Sequence, residues 1–137
     1  MGKGNINGDS VLALPAPEGT DSWMEGTEIV SMPAPSDCYI DMALAPGQNK
    51  PGGWGTFDTI MSVDYVRNEL AVTPEFKPEI GFVQRYLVPE GTRIQVGTVG
   101  KQIFQGEIYP GEGNQVQILN FADRAKLIPI GNKVPIY

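Results

Sequence analysis

Apolar and polar residues alternate most clearly in two short stretches. In residues 93–99 (RIQVGTV), Ile94 and Val96 point one way and Arg93 and Gln95 the other. In residues 115–119 (QVQIL), Val116 and Ile118 share one face and Gln115 and Gln117 the opposite one. A period of two is that of a half-buried strand. Residues 80–88 (IGFVQRYLV) form a longer apolar run and predict another strand. The PEGT turn at 89–92 follows it, with Gly91 supplying permissive backbone. A different spacing appears between residues 57 and 72, where Val63, Val66 and Leu70 fall on one helical face. Ser62 can cap that helix with Asp64 in its first turn, or Thr56 or Asp58 can start it a turn earlier. Thr73-Pro74 stops it.

The remaining segments are shorter. Residues 28–32 suit a short strand, and CYIDMALAP (38–46) a buried strand or a short helix. APGQNKPGGWG (45–55) is a loop, with Trp54 and Phe57 at its exit. PEFKPE (74–79) is a proline-spaced connector. Residues 120–126 suit one helical turn, and LIPIGNKVPIY an edge strand or hairpin. Residues 1–22 read as a flexible N-terminal arm or linker whose apolar patch, Val11 to Leu14, can dock on the body. The expectation is one domain over 23–137, α+β and β-dominated, with a mostly antiparallel sheet and one or two short helices.

Composition narrows the chemistry. The 17 glycines and 12 prolines among 137 residues agree with many turns and little long helix. A net charge of −6 gives no general attraction to phosphate backbones, so nucleic acid is not an expected partner. There is no histidine, which removes histidine-based nucleophile activation and histidine-ligated metal sites. The one cysteine, Cys38, forms neither an internal disulfide nor a cysteine-rich zinc site, so no metal is expected. No apolar run reaches the roughly 18 residues that a membrane span needs. The first ten residues lack an apolar signal core; a domain taken from a longer secreted protein would look the same.

An enzyme with this composition must work with carboxylates, amides, Arg, Tyr, hydroxyls or backbone groups. The densest cluster of small residues with polar flanks is YPGEGNQ, residues 109–115. It matches neither the phosphate loop nor the dinucleotide fingerprint. A hairpin turn is the plain alternative. Gln115, directly after the loop at a strand start, supplies a neutral amide able to orient a water or a ribose hydroxyl. The four arginines (Arg67, Arg85, Arg93 and Arg124) can grip a pyrophosphate or form surface ion pairs. Nothing in the spacing places Glu107 with Glu112, or Asp58 with Asp64, at a glycosidase separation.

The run YLVPEGTRIQVGTVGKQIFQGEIYPGEGNQVQI, residues 86–118, resembles the C-terminal half of the tuberculosis-necrotizing-toxin family. These are NAD glycohydrolase toxin domains with an ADP-ribosyltransferase-like fold, which implies that the mostly antiparallel sheet is split. By that resemblance Pro110-Gly111-Glu112-Gly113-Asn114-Gln115 is the family's glycine loop and Gln115 the catalytic glutamine. Gly55-Thr56-Phe57 followed by Arg67 is similar to the family's glycine–threonine segment and its arginine, at a longer spacing, which implies a catalytic role for Arg67. Ile40-Asp41-Met42-Ala43 carries Met42 where the family has an NAD-binding arginine, and Arg85 is the expected replacement. Trp54, Phe57, Tyr109, Gly111 and Gly113 complete the NAD-binding set that the resemblance implies. It further implies hydrolysis of NAD to nicotinamide and ADP-ribose with no separate cofactor, and a cognate immunity protein covering residues 109–117. Release as part of a larger secreted toxin, acting in the target-cell cytoplasm, is implied too. An ADP-ribosyltransferase using Glu112 or Glu107, and a non-enzymatic β-rich binding module, are the alternatives.

Overall fold

Val116 and Ile118 are fully buried, and the strand that carries them lies inside the larger of two sheets. The computed structural model describes residues 9–12 and 22–137. Among these, the strands are β1 (Asp9–Leu12), β2 (Glu28–Pro33), β3 (Cys38–Leu44), β4 (Trp54–Gly55) and β5 (Phe82–Val88). They continue with β6 (Arg93–Thr98), β7 (Gln102–Phe104), β8 (Glu107–Tyr109), β9 (Asn114–Ile118) and β10 (Ile128–Pro135). The helices are α1 (Val63–Asn68) and α2 (Phe121–Arg124).

The larger sheet has the order β1-β2-β6-β9-β4 and the smaller β10-β5-β3, with every pairing antiparallel. Strands β7 and β8 form a separate hairpin. The sheets close on a shared core: Ile40, Met42, Tyr86 and Val88 from the smaller, Ile94, Val116 and Ile118 from the larger, with Leu127 beside them. Full burial of such side chains contributes about 1.5–3 kcal/mol each. A reciprocal pair of hydrogen bonds links the sheets, from Asp41 N to Thr56 O at 2.9 Å and from Thr56 N to Asp41 O at 3.0 Å. The fold is therefore α+β, β-dominated and antiparallel, as the alternation predicts, and its sheet is split in two.

The edge strand β10 is irregular where it passes β5. Its register shifts between Ile130 and Val134, and Gly131 adopts a φ of +70°. Buried Gln84 fills the gap, its Nε2 donating to the Ile130 and Gly131 carbonyls, both at 3.2 Å. A polar residue in an apolar run thus satisfies carbonyls that the bulge takes out of the ladder.

Helix α1 starts where expected, with the Ser62 hydroxyl accepting from Tyr65 N. Val66 is fully buried, and Val63 and Leu70 pack on the same cluster. The helix is shorter than residues 57–72. It ends because Ala71 adopts a φ of +50° and Val72 N turns back to the Val66 carbonyl at 3.2 Å. Such a left-handed residue closes a helix before any proline is met. The alternative of YPGEGNQ as a hairpin turn is not what forms. β8 pairs with β7, and β9 with β6 and β4, so the loop crosses from the small hairpin into the larger sheet. Of the segment read as an arm, residues 1–8 and 13–21 lie outside those described, while β1 pairs with β2 from Asp9↔Ser31 to Leu12↔Glu28.

Candidate functional site

Backbone hydrogen bonding, rather than an open nest of donors, organises the glycine-rich loop. Gly111 N donates to Asn68 O at 2.6 Å and Gly113 N to Glu69 O at 2.9 Å. Both carbonyls lie at the C-terminal end of α1, where the intrahelical ladder runs out. Glu112 N donates to Val99 O, and Val99 N to Gly113 O. Glycine is required at both positions. A Cβ on Gly111, whose φ is +77°, would stand 2.8 Å from the Val99 carbonyl oxygen, and one on Gly113 2.8 Å from that of Glu69. Tyr109, buried before the loop, packs with Ala71 and Val99. The loop therefore fixes the end of α1 against the start of β9, two residues before Gln115.

Gln115 is buried, on the face of β9 opposite Val116. Its Nε2 donates to the Ser22 carbonyl at 3.0 Å, and across the ladder it stands opposite Gly97, on which the Trp23 ring packs. Trp54 on β4 lies opposite Gln117, and its ring meets that of Trp23 at 5.7 Å between centroids, tilted by 53°. Gln115 and Trp54 both line a cleft of about 310 Å³. The cleft is bounded by β3, residues 52–55, α1, residues 70–77 and residues 99–102. Its surface is largely apolar, with Ile60, Val66, Leu70 and Val72 among the contributors, and a few polar groups (Gln115, Gln102, Gln48, Asp41 and Lys77) open onto it. An apolar concavity with few polar side chains has the general character of a small-molecule site.

Asp41 is buried and fully engaged. Its Oδ1 accepts from Arg85 Nε at 2.9 Å and its Oδ2 from Ile60 N at 3.0 Å. Arg85 is the register partner of Asp41 across β3 and β5, and its Nη2 also reaches the Thr59 hydroxyl at 3.4 Å. The hydrogen bond to Asp41, and then the Asp41 charge, push the Arg85 guanidinium above its already high value. Met42, next to Asp41, is buried in the core between the sheets.

The structure separates the residues singled out in the sequence. Gln115 and Trp54 line the cleft; Arg67, Arg85, Phe57, Tyr109, Gly111 and Gly113 do not. Arg67 donates from Nη1 to the Val72 and Lys77 carbonyls at 3.0 and 2.8 Å, and from Nη2 to the Pro78 carbonyl at 3.1 Å. It clasps the connector after α1. Phe57 is exposed, and its N–H donates to Asn114 Oδ1 at 3.0 Å. Glu107 and Glu112 are exposed and stand outside the cleft.

Pattern reading missed Lys77 and Gln48. Lys77 Nζ donates to Gln48 Oε1 at 3.0 Å, joining the connector to the loop at 45–53. Burial, and then the nearby Arg67 charge, lower the Lys77 pKa from its ordinary value. A lysine between two prolines in PEFKPE carries no periodic signal, so only the fold brings it to the cleft.

No protein-family model matches the chain, and no curated protein matches it by sequence. Among solved structures, it is similar to a chain in the structure of Tne2 in complex with Tni2. The TM-score is 0.66 at 21% identity, and the match covers 84% of this chain and 98% of that one. At that identity the likeness is one of fold.

Proposed function

We propose that this domain is the toxin member of a toxin–immunity pair and that it hydrolyses NAD to nicotinamide and ADP-ribose, with Gln115 at the reacting end of the cleft. The observation that carries this reading is the placement of Gln115: a buried neutral amide on the wall of an apolar cleft, its donor end held by Ser22. The fold shared with a chain of the Tne2–Tni2 complex supports it, as does the resemblance of residues 86–118 to the tuberculosis-necrotizing-toxin family, which implies a catalytic role for Gln115.

The chemistry suits these groups. The bond between the nicotinamide nitrogen and the ribose C1′ breaks with its electron pair going to nitrogen, which is already cationic in NAD, so no strong general acid is needed. The ribose passes through an oxocarbenium-like state, as in glycoside cleavage. A water oxygen then bonds to C1′ and its proton leaves to solvent, because an amide cannot take it. What the protein must supply is orientation and a preorganised polar environment. In this reading the Gln115 oxygen receives a hydrogen bond from the water or a ribose hydroxyl, and Trp54 packs on a ring of the ligand.

Glu112 and Glu107, which a transferase mechanism would call on, lie outside the cleft, and the one carboxylate among its described lining residues, Asp41, is already held by Arg85 and Ile60. A cognate immunity protein would cover the rim, where Trp54 and Phe76 are 41% and 65% exposed. Action in the target-cell cytoplasm, after release as part of a larger secreted toxin, belongs to the same proposal. Incubation with NAD tests it: the domain is expected to release free nicotinamide without labelling protein, and labelling of a target protein would favour the transferase.

A further inference from the structure

Arg67, expected among the catalytic groups, and Arg85, expected to bind NAD, are both engaged elsewhere, yet the cleft is not without a cation. Among its described lining residues Lys77 is the one with a positive side chain, and no carboxylate among the described residues pairs with it. Its backbone is fixed from below, because Arg67 holds the carbonyls of Val72, Lys77 and Pro78 together. Its ammonium is fixed from the side by Gln48 Oε1, which also accepts from Ala45 N at 3.0 Å. An ammonium has three donors, of which Gln48 takes one. The carboxylate among the described lining residues, Asp41, is paired with Arg85.

We infer that Lys77 is the anion-binding residue of this cleft and holds the pyrophosphate of a dinucleotide whose nicotinamide end meets Gln115. The inference rests on the NAD-hydrolase reading for the identity of the ligand, but on the connector and loop alone for the site. Lys77 and Gln115 reach the cleft from separate elements, the connector after α1 and strand β9, as a ligand with a charged middle and a reacting end requires. Arg67 becomes a positioning residue: it acts on the ligand through the backbone that carries Lys77. A partly buried ammonium is costly without a counter-charge, and a bound anion supplies one. Burial, and then the Arg67 charge, lower the Lys77 pKa from its ordinary value.

The test uses ADP-ribose, which carries the pyrophosphate, and nicotinamide riboside, which lacks it, with the full chain and its Lys77→Gln and Lys77→Arg variants. Calorimetric titration is expected to show ADP-ribose binding weakened about tenfold or more in Lys77→Gln, the scale of a lost charge-assisted hydrogen bond. Nicotinamide riboside binding stays unchanged and Lys77→Arg recovers most of the loss. On NAD, Lys77→Gln is expected to raise KM and leave kcat within about threefold, as for a group that binds ground and transition states alike. Equal ADP-ribose affinity in wild type and Lys77→Gln, or no ADP-ribose binding by wild type, overturns the inference. A wild type that binds ADP-ribose through Lys77 but leaves NAD intact upholds the anion site and removes the hydrolase reading. A wild type that hydrolyses NAD with KM unmoved by Lys77→Gln does the reverse.

Discussion

Arg67 donates to the carbonyl of Lys77 at 2.8 Å, so the arginine that the sequence places among the catalytic groups instead holds the backbone of the cation in the cleft. Two further carbonyls, those of Val72 and Pro78, share the same guanidinium. Arg67→Ala removes all three bonds and is expected to cost about 2–3 kcal/mol, the range for hydrogen bonds to a charged group. For a chain of this size that corresponds to a fall in Tm of roughly 6–12 °C. Thermal unfolding followed by calorimetry reads it; a Tm within a degree of wild type would contradict the clasp.

Asp41 and Arg85 stand opposite each other where β3 approaches the larger sheet. Arg85 is about half exposed, so the pair itself is screened, but Asp41 is buried. Arg85→Ala leaves the carboxylate with the Ile60 N–H and is expected to destabilise by about 1–2 kcal/mol. Because Arg85 lies outside the cleft, the KM for NAD should stay within about threefold of wild type. Urea unfolding with parallel kinetics checks both halves.

Gly106 and Gly111 offer a paired comparison at the same backbone angle. Both have a φ near +80°, but a Cβ on Gly106 meets nothing within 4 Å, whereas one on Gly111 would stand 2.8 Å from Val99 O and 2.9 Å from Gly100 O. Gly106→Ala should cost about 1 kcal/mol, the strain of the left-handed region alone. Gly111→Ala should cost roughly 2–4 kcal/mol and lower kcat, because the crossover that seats Gln115 must shift. Equal stabilities for the two variants would mean that the loop accommodates the methyl group freely.

Alkaline stability follows from three groups pushed the same way. Burial, helped by Asp37, raises the Cys38 thiol above its ordinary 9.0, and burial raises Tyr65 and Tyr86 above 10.0. In each case the folded chain keeps a proton that the unfolded chain gives up. Their contribution is therefore complete below pH 9 and is lost as the pH rises through the folded-state values. Lys77, shifted downward, works in the opposite sense, gaining stability as the pH rises toward 10.5. The three raised groups each predict a fall in unfolding free energy as the pH rises above 9. Cys38→Ala should delay its onset toward pH 10, measured by urea titrations at half-unit steps.

The architecture was legible where a period was strong. Residues 93–98 and 115–118 alternate because one face meets the core, and the structure buries Ile94, Val116 and Ile118 accordingly. Ser62 as a cap follows from local hydrogen bonding alone. The split into two sheets was expected from the family resemblance and not from the alternation, because a period of two does not say which strands pair. The end of α1 was misplaced because the positive φ at Ala71 has no glycine to announce it. At the cleft, Gln115 and Trp54 stand out in the sequence as polar and aromatic exits from glycine-rich loops. Lys77 and Gln48 do not, since each lies in a proline-rich connector whose position only tertiary packing sets.

The most direct measurement is chromatographic quantification of nicotinamide released from NAD by the full chain, wild type beside Gln115→Ala at equal folded concentration. Wild type should turn over many equivalents, and Gln115→Ala should fall by at least about a hundredfold, the scale for removing one preorganised polar group at a reacting centre. NAD left intact by wild type at high protein concentration, or a Gln115→Ala variant as fast as wild type, would contradict the account.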